Sequence, residues 1–241
     1  MICGRFANRM LPWYESAMRE ATPLSGGDDP DGVSPGGANR RPIRLRDARW
    51  AQVTASFLAR LGVRPNQISL ASMLASAAGA VSLYFFPQPW KALICVCGVQ
   101  LRLLCNLLDG MVAVEHLQQT PLGVLYNELP DRVSDSMLFV ALGYVSGTPW
   151  LGWLGALLAA LTAYIRVFGA ALGFAQDFRG PMAKQHRMAV LTAGCLVSII
   201  EHFTIRTNHT LPITCGVIAA GSLLTCWART RVMVRRLRER N

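Results

Sequence analysis

The sequence predicts an all-α, polytopic membrane protein with six transmembrane helices, and three observations support this fold class. Of its 241 residues, 52% are hydrophobic and only 16% are charged, whereas soluble domains carry about 25% charged residues. The mean hydropathy is positive, at +0.30. Six predominantly apolar runs approach the roughly 20 residues that a helix needs to cross a bilayer. They are predicted at residues 66–86, 90–114, 121–145, 150–174, 188–203 and 211–228.

The segment before the first run has a different composition. Residues 24–39 are rich in Gly, Pro, Ser and Asp, which is typical of a disordered segment. We therefore predict a disordered tail over residues 1–43 and a six-helix membrane domain over residues 44–241. No cleavable signal peptide is expected, because residues 1–20 lack an apolar core of the required length.

An amphipathic helix is predicted between the tail and the first run. In "RWAQVTASFLARLGV", apolar residues that include Trp50, Val53 and Phe57 recur at helical spacing, with Arg residues at the edges of the apolar face. A helix of this kind lies along the membrane surface rather than across it. We therefore predict an N-terminal interfacial helix, followed by a turn into the membrane at Pro65.

The net charge of +10 comes largely from Arg clusters before the first run and after the last. Positively charged flanks stay in the cytoplasm, and six spans place both termini on the same side, so the two clusters agree. We predict an integral protein of a bacterial inner membrane, in contact with membrane lipids, with both termini cytoplasmic. No nucleic-acid partner is predicted, because no aromatic-interleaved basic segment or binding motif is present.

Polar side chains interrupt the second and third runs on either side of their cytoplasmic turn. Ionisable residues inside a bilayer are costly and usually face the protein interior. Residues three or four positions apart share one helix face, and each of the two runs carries one polar stripe at that spacing. The stripes are Arg102, Asn106 and Asp109 on the second run, and Asn127, Asp131 and Asp135 on the third.

Folding this hairpin about Gln118 places the two stripes side by side, so that their residues form three pairs. Each pair lies about 5 Å deeper in the membrane than the one before. The outer two pairs offer carboxylate and amide oxygens, which hard divalent cations prefer. The innermost pair is an Arg facing an Asp, whose loss would leave a buried charge uncompensated. The predicted pairs are Asp109–Asn127 and Asn106–Asp131, which form the metal site, and Arg102–Asp135, which is structural.

Small residues on the same hairpin allow another helix, or a nucleotide, to approach closely. They are Gly110, Ala113 and Gly123. The alternative interpretation is that the polar groups only hold helices together. That alternative accounts well for an isolated Asn, and less well for three Asp and an Arg that register across one hairpin.

At these residues the chain resembles the CDP-alcohol phosphatidyltransferase family. The family signature is D-x2-D-G-x2-A-R-x8-G-x3-D-x3-D, and this chain keeps every spacing. Asn106 and Asn127 stand where the signature has its first and third Asp, and Val114 stands where it has Arg. The resemblance extends from about residue 62 to the end, since "GVRPNQIS" is similar to the start of the family's first span.

The resemblance implies an enzyme of phospholipid biosynthesis. Members of the family use two divalent cations, Mg²⁺ or Mn²⁺, to move a phosphatidyl or substituted phospho-alcohol group from a CDP-alcohol to an acceptor hydroxyl, with release of CMP. By position, Asp109 would be a metal ligand, and Asp131 both a ligand and the base that deprotonates the acceptor. Gly110, Ala113 and Gly123 would line the CDP site. Because family members are commonly dimers, a homodimer is a further expectation.

The Asn residues at two signature positions leave three interpretations open. The enzyme is active with altered ligation, and Glu128 or Asp135 supplies the missing charge; or one metal is lost and the chemistry changes; or catalysis is lost and the chain binds only a lipid or a partner. A second alignment of the signature with the sequence makes Asp131 and Asp135 its last two Asp residues, with Asp135 as a catalytic candidate. This alignment leaves Gly123 unexplained. We favour activity, because both Asn residues are still oxygen donors.

Two issues stay open beside these interpretations. A cation-coupled transporter would also need buried charge, although no inverted repeat indicates one. The acceptor is not identified by the sequence: glycerol phosphate, inositol phosphate, serine and a neutral lipid alcohol all fit.

Basic residues near the cytoplasmic ends of the later runs form a candidate phosphate pocket. Arg166 lies within the fourth run, where a buried Arg usually pairs with or binds an anion. Lys184 and Arg187 open the fifth run, and a helix start favours anions. We predict that these three bind a phosphorylated acceptor or the CDP-lipid. The alternative is the general bias of positive residues toward the cytoplasm.

Overall fold

The computed structural model describes residues 48–115 and 123–240, and this part of the chain folds into seven helices without any strand. The predicted tail lies outside the described residues, as does the turn of the polar hairpin. The helices are α1 (Arg49–Arg60), α2 (Pro65–Phe85), α3 (Trp90–Glu115), α4 (Gly123–Val145), α5 (Pro149–Ala171), α6 (Lys184–Thr204) and α7 (Thr210–Arg240).

The all-α class and the membrane character are confirmed by five helices long and apolar enough to cross a membrane. Helix α4 is not among them, because it carries four charged side chains, so the count of six spans stays a prediction. The five segments are Pro65–Phe85, Trp90–Ala113, Pro149–Ala171, Lys184–Thr204 and Thr210–Glu239.

Helix α4 nevertheless lies inside the bundle, where it packs against α2, α5 and α7. Its second half contributes Leu138, Phe139 and Leu142 to the apolar core, each at most 1% exposed. Nearer its start and its middle, Asp131 and Asp135 face neighbouring helices, where both are also buried. Two of the four charges that lower the hydropathy of α4 are therefore inside the protein, and the other two, on Glu128 and Arg132, are partly exposed.

The apolar core joins α2 through α7 near the middle of the bundle. The helices pair as α2 with α3, α4 with α5, α5 with α7, α6 with α7 and α3 with α6. Burial of these large side chains supplies the main favourable free energy of helix association in the protein interior. The largest buried apolar members of this cluster are Leu83, Val99, Leu138, Phe139, Leu142, Met188, Leu191 and Ile218.

Glycine pairs allow two of these helix contacts to be unusually close. A methyl group built on Gly98 of α3 would lie 2.6 Å from the carbonyl oxygen of Ala75 on α2. One built on Gly152 of α5 would lie 2.6 Å from the carbonyl oxygen of Phe139 and 2.8 Å from Gly143 Cα on α4. Small residues at helix crossings let backbones touch in this way. These crossings fix where α3 and α4 place their polar stripes.

Helix α1 is present where the sequence predicts an amphipathic helix. Ala51 and Ala55 are fully buried and pack with Leu107, Leu108 and Met111 of α3. The opposite face is apolar and exposed, and its position on the membrane surface stays a prediction. The exposed side chains are Trp50, Val53, Phe57 and Leu61.

Helix ends follow the local sequence closely, with two differences from the predicted runs. Pro65 is the first residue of α2, and Gln67 Oε1 accepts a hydrogen bond from the Arg64 backbone N–H (3.0 Å). Helix α6 begins at Lys184, four residues before the predicted run, because ion pairs with α4 accommodate the charges of its first turn. Helix α7 continues to Arg240, far beyond its apolar run.

Candidate active site

Three helices bring charged side chains together at one end of the bundle. Helices α3 and α4 contribute the two stripes that the sequence predicts, and the first turn of α6 contributes two cations. Five of the ion pairs in the described part of the chain join or flank Asp131 and Asp135. The central side chains are Arg102, Asn106 and Asp109 from α3, Asp131 and Asp135 from α4, and Lys184 and Arg187 from α6.

Asp131 is held on both of its carboxylate oxygens. Asn106 Nδ2 donates a hydrogen bond to Oδ1 (3.1 Å), and Arg102 Nη2 lies 3.4 Å from the same oxygen. The Lys184 ammonium donates to Oδ2. Arg102 Nη2 also donates to the Asp131 backbone carbonyl (3.1 Å). This geometry shows the predicted Asn106–Asp131 pair, and it adds Lys184 as a partner that the helical register alone does not indicate.

Asp135 lies deeper, between two guanidinium groups. Its Oδ1 accepts from Arg102 Nη2 (2.6 Å), and its Oδ2 accepts from Arg187 Nη2 (2.9 Å). All three side chains are at most 2% exposed. The predicted Arg102–Asp135 pair is therefore present, with a second Arg on the far side of the carboxylate. A carboxylate so enclosed cannot reach a substrate or a metal without breaking both pairs.

Arg187 is consequently an interior residue, and not at a surface where a substrate phosphate can approach. Beyond Asp135, its Nη1 donates to the carbonyl oxygen of Met182 (2.9 Å) and to Thr162 Oγ1 (3.2 Å). Sequence reasoning placed it in a phosphate pocket because it follows Lys184 at the start of a run. It lies three positions after Lys184, and its side chain runs into the bundle while that of Lys184 stays one-quarter exposed.

Asp109 is oriented by a residue that the sequence analysis missed. Ser69 Oγ of α2 donates to Asp109 Oδ2 (2.7 Å), and both residues are buried. A signal was available, since Ser69, Ser72 and Ser76 recur at three- and four-residue spacing along α2 and are all buried. The third predicted pair joins Asp109 to Asn127, whose side chain lies outside the described residues.

The small residues of the signature lie beside Asp109 or at the start of α4. Gly110 and Ala113 are half-buried on α3, and Gly123 is the first residue of α4. The structure therefore leaves backbone accessible beside the carboxylate at Gly110. This is the arrangement that close approach of a ligand requires.

Arg166 pairs with Glu128 of α4. Its Nη2 donates to Glu128 Oε1 (2.5 Å) and its Nη1 to Gln176 Oε1 (2.7 Å). Glu128 also lies 3.7 Å from Arg132, which in turn lies 3.9 Å from Asp131 Oδ2. Glu128 is thus engaged by two Arg residues, and this arrangement does not favour its predicted use as extra metal charge.

A cleft beside Arg166 is also lined by Arg229 and Arg236. The sequence analysis explains these two residues only by membrane orientation. Arg229 is buried and donates to the backbone carbonyls of Thr162 (2.6 Å) and Arg179 (2.8 Å). Arg236 lies 6.0 Å from the ring of Phe174. Three guanidinium groups and one carboxylate line the cleft, a balance that suits a phosphate. Its charged lining residues are Arg166, Asp177, Arg229 and Arg236.

The donors around Asp131 suit a hard divalent cation. Asp109 and Asp131 offer carboxylate oxygens. The Asn106 amide, whose Nδ2 donates to Asp131 Oδ1, offers its oxygen after a rotation of the amide group. Mg²⁺ and Mn²⁺ favour such oxygen ligands. In the described part of the chain, no cluster of three His, Cys, Asp or Glu residues forms a metal site. A cation here therefore needs the amide groups as well as the two carboxylates.

Comparisons with known proteins identify the family of the chain. A family model described as CDP-alcohol phosphatidyltransferase matches residues 62–233, which include the whole variant signature. Archaetidylinositol phosphate synthase from Aeropyrum pernix is 34% identical over 160 residues, covering 65% of this chain and 80% of the relative. Phosphatidylinositol phosphate synthase from Mycobacterium marinum is 30% identical over 195 residues, covering 77% and 81%.

Solved structures share the fold. The crystal structure of Mycobacterium tuberculosis phosphatidylinositol phosphate synthase with CDP-DAG bound matches with a TM-score of 0.65 and 24% identity. The match covers 77% of this chain and 94% of that chain. The complex of the same enzyme with manganese and citrate also gives a TM-score of 0.65, over 76% and 88% of the two chains.

The family model spans most of the chain, and the predicted metal and base positions fall inside it. A relative at 30% identity covers more than two thirds of the chain. The family's enzymes use divalent metals to transfer a phosphatidyl or substituted phospho-alcohol group from a CDP-alcohol, which sets aside the transporter interpretation. The chain therefore belongs to the CDP-alcohol phosphatidyltransferase family and is a membrane enzyme of phospholipid biosynthesis that uses Mg²⁺ or Mn²⁺.

Proposed function

We propose that the chain transfers the phosphatidyl group of CDP-diacylglycerol to a hydroxyl of a phosphorylated polyol of the inositol phosphate class, releasing CMP. The observation that carries the acceptor class is the cleft with three guanidinium groups, which Arg166, Glu128 and Arg132 connect to Asp131. A neutral alcohol or serine would not need so many cations. The names of the two synthase relatives point to the same class of acceptor, and a solved relative binds CDP-DAG.

In this proposal, Asp109, Asp131 and the amide oxygens of Asn106 and Asn127 would hold a divalent cation between α3 and α4. When bound, it would neutralise the pyrophosphate and stabilise the departing CMP. Ser69 orients Asp109 by donating to its Oδ2. Gly110, Ala113 and Gly123 provide the space in which the cytidine diphosphate lies against the helix backbone.

Asp131 is the residue that takes the proton from the acceptor hydroxyl. Its carboxylate is 10% exposed and lies at the junction of three helices. Arg102 and Asn106 hold Oδ1 in a fixed direction, so that Oδ2 faces the side from which Lys184 approaches. Asp135 acts as a positioning residue in this mechanism, because it fixes Arg102, which in turn fixes Asp131.

The acceptor phosphate binds in the cleft formed by Arg166, Arg229 and Arg236, and Arg236 is its main ligand because the other two already donate to protein oxygens. Guanidinium groups bind phosphate oxygens in pairs, which orients the ligand as well as holding it. Arg166 connects the cleft to Asp131 through Glu128 and Arg132. A phosphorylated acceptor anchored there can present a hydroxyl to Asp131, with Lys184 beside both.

The membrane orientation belongs to the same proposal. The enzyme lies in a bacterial inner membrane with both termini and the active site facing the cytoplasm, where CDP-lipid and a charged acceptor can both reach it. The Arg-rich end of α7 supports this orientation, since positive residues flanking spans stay cytoplasmic. We also propose a homodimer, as the family resemblance implies.

The test is release of CMP from CDP-diacylglycerol by the purified full-length protein in lipid nanodiscs. We expect release to require Mg²⁺ or Mn²⁺, to be stopped by a chelator, and to be strongest with inositol phosphate in a panel with glycerol phosphate, serine and neutral alcohols. Asp131→Asn should lower the rate by at least about 100-fold, the usual contribution of a general base. No release with any acceptor would support the alternative of an inactive lipid-binding relative.

The acceptor cleft is tested in the same assay. Arg236→Gln should raise KM for the acceptor about tenfold or more, with little change in KM for CDP-diacylglycerol, because it removes one phosphate-binding guanidinium. Arg238→Gln is the matched control, since that exposed residue is two positions away and does not line the cleft. Equal effects of the two substitutions would contradict the proposed acceptor pocket.

A further inference from the structure

Both carboxylate oxygens of Asp131 already accept hydrogen bonds, and a divalent cation would compete with these donors. In the proposed function, Asp131 binds a divalent cation, yet each of its oxygens already accepts from a positively charged or amide donor. Oδ1 faces Arg102 and Asn106, and Oδ2 faces Lys184. A divalent cation that uses Asp131 must therefore displace at least one of these donors, or share an oxygen with it against charge repulsion.

Arg102 is fixed in place and cannot be the donor that leaves. Its side chain is 0% exposed and is held by Asp135 Oδ1 at 2.6 Å and by the Asp131 carbonyl at 3.1 Å. Moving it would leave a buried Asp135 with one guanidinium fewer, and breaking a buried pair in this way is strongly unfavourable. Asn106 is neutral, and turning its amide presents an oxygen to the cation without any loss of charge balance.

Lys184 has the opposite properties. Its side chain is 25% exposed, and the ammonium has four rotatable carbons between it and the first turn of α6. Among the described residues, Asp131 is its only ion-pair partner. Lys ammonium groups are compact, strongly hydrated and easily redirected, unlike the planar fork of Arg. Lys184 can swing away from Oδ2 while α6 and the Arg187–Asp135 pair stay where they are.

We infer that Lys184 is an internal counter-ion that competes with the divalent cation for Asp131 Oδ2 and thereby lowers the metal affinity of the site. The inference rests on the proposed function, since it needs Asp131 to be a metal ligand. Lys184 neutralises Asp131 in the absence of a bound cation, and the cation must replace it. The role differs from phosphate binding alone, because it predicts that removal of Lys184 strengthens the binding of metal.

The experiment measures Mn²⁺ binding directly, without turnover. The full-length protein in nanodiscs of neutral lipid is titrated with Mn²⁺, and the free ion is followed by its electron paramagnetic resonance signal. Lys184→Met should bind Mn²⁺ roughly tenfold more tightly or better than the wild type, because a like charge next to the ion is removed. Lys184→Arg keeps the charge and should stay close to the wild-type affinity.

Lys91→Met is the matched control, since it removes the same charge from the start of α3, outside the cluster. It should leave the Mn²⁺ affinity within about twofold of the wild type, because a distant charge is screened. Unchanged or weaker binding by a correctly assembled Lys184→Met protein would overturn the inference. Absence of saturable Mn²⁺ binding by the wild type would instead overturn the metal site, and the counter-ion role with it.

Discussion

At the scale of single residues, the site contains two carboxylates, and the position of each depends on the other through their shared partner Arg102. Asp131 is 10% exposed and pairs with Lys184, and Asp135 is enclosed behind it by Arg102 and Arg187. Arg102 touches both carboxylates, so the inner pair fixes the geometry of the outer one. The two Asp residues of α4 thus differ in depth and in their partners, although they lie on the same helix face, and the proposed function gives them different roles.

Asp135→Asn should be severely destabilising, because it leaves two buried guanidinium groups without their shared carboxylate. Removing one partner of a buried pair costs about 3–5 kcal/mol, and we expect a large fall in the thermal unfolding temperature of the detergent-solubilised protein. Glu239→Gln is the control, since its pair with Arg235 is exposed and such pairs contribute less than about 1 kcal/mol. Similar unfolding temperatures for both variants would show that the buried pair does not stabilise the fold.

At the scale of helices, close crossings set the positions of the site residues. Helix α4 carries Asp131 and Asp135 nearer its start and its middle, and Gly143 in its second half, against Gly152 of α5. The contact anchors α4 at the end away from the site. A shift of α4 along or away from α5 would move both Asp residues relative to the stripe on α3.

Gly152→Ala should destabilise the bundle, because the added methyl group would meet the backbone of α4 at 2.6 Å from the Phe139 carbonyl oxygen. Overpacking of this kind costs about 1–3 kcal/mol. Gly155→Ala, one turn later on the same helix, would place its methyl 3.9 Å from the nearest atoms and should be tolerated. The comparison is made by thermal unfolding of the two variants, and equal stability would contradict the close crossing.

The sequence allowed most helices to be predicted, because hydropathy and proline positions mark them. Pro65 and Pro149 each lie at the first position of a helix, where proline fits without loss of a hydrogen bond. The predicted run starts four residues after the first residue of α6, because hydropathy alone assigns Lys184 and Arg187 to the preceding loop. Only their ion pairs with α4 explain why they are helical, and pairing between distant segments is not visible in a local pattern.

The part of the candidate site that lies within the α3–α4 hairpin could be predicted from the sequence. The contacts that other helices make with this hairpin could not. Spacing along α3 and α4 places Asn106 beside Asp131 and Arg102 beside Asp135, as the structure shows. Ser69, which orients Asp109, and the pairing of Arg166 with Glu128 depend on how α2 and α5 pack against that hairpin. Crossing angles of this kind arise from the whole bundle, so no single stretch of sequence specifies them.

At the scale of the whole molecule, the number of crossings determines on which side each terminus lies. Five helices are long and apolar enough to cross, and we propose that α4 crosses as well, because ion pairs compensate its buried charges. Six crossings place both termini on one side, whereas five would place them on opposite sides. The Arg residues at both ends of the membrane domain favour one side, the cytoplasm.

Reporter fusions can count the crossings in a bacterial host. We expect green fluorescent protein to be fluorescent when joined to either terminus, because the proposed orientation places both in the cytoplasm. Alkaline phosphatase should be inactive at the C-terminus and active when joined after Gly147, in the turn between α4 and α5. Active phosphatase at the C-terminus, combined with a fluorescent N-terminal fusion, would mean that α4 does not cross.

The length of α7 has a practical consequence for imaging. At about 1.5 Å per residue, its 31 residues extend roughly 46 Å, whereas the hydrocarbon layer is only about 30 Å thick. Trp227, beneath the guanidinium of Arg231, is the kind of residue that marks the membrane–water boundary. A helical partner fused in register after Arg240 would stand clear of the detergent micelle at a fixed angle. It would serve as a fiducial for aligning particles of this 26.3 kDa chain by electron cryomicroscopy.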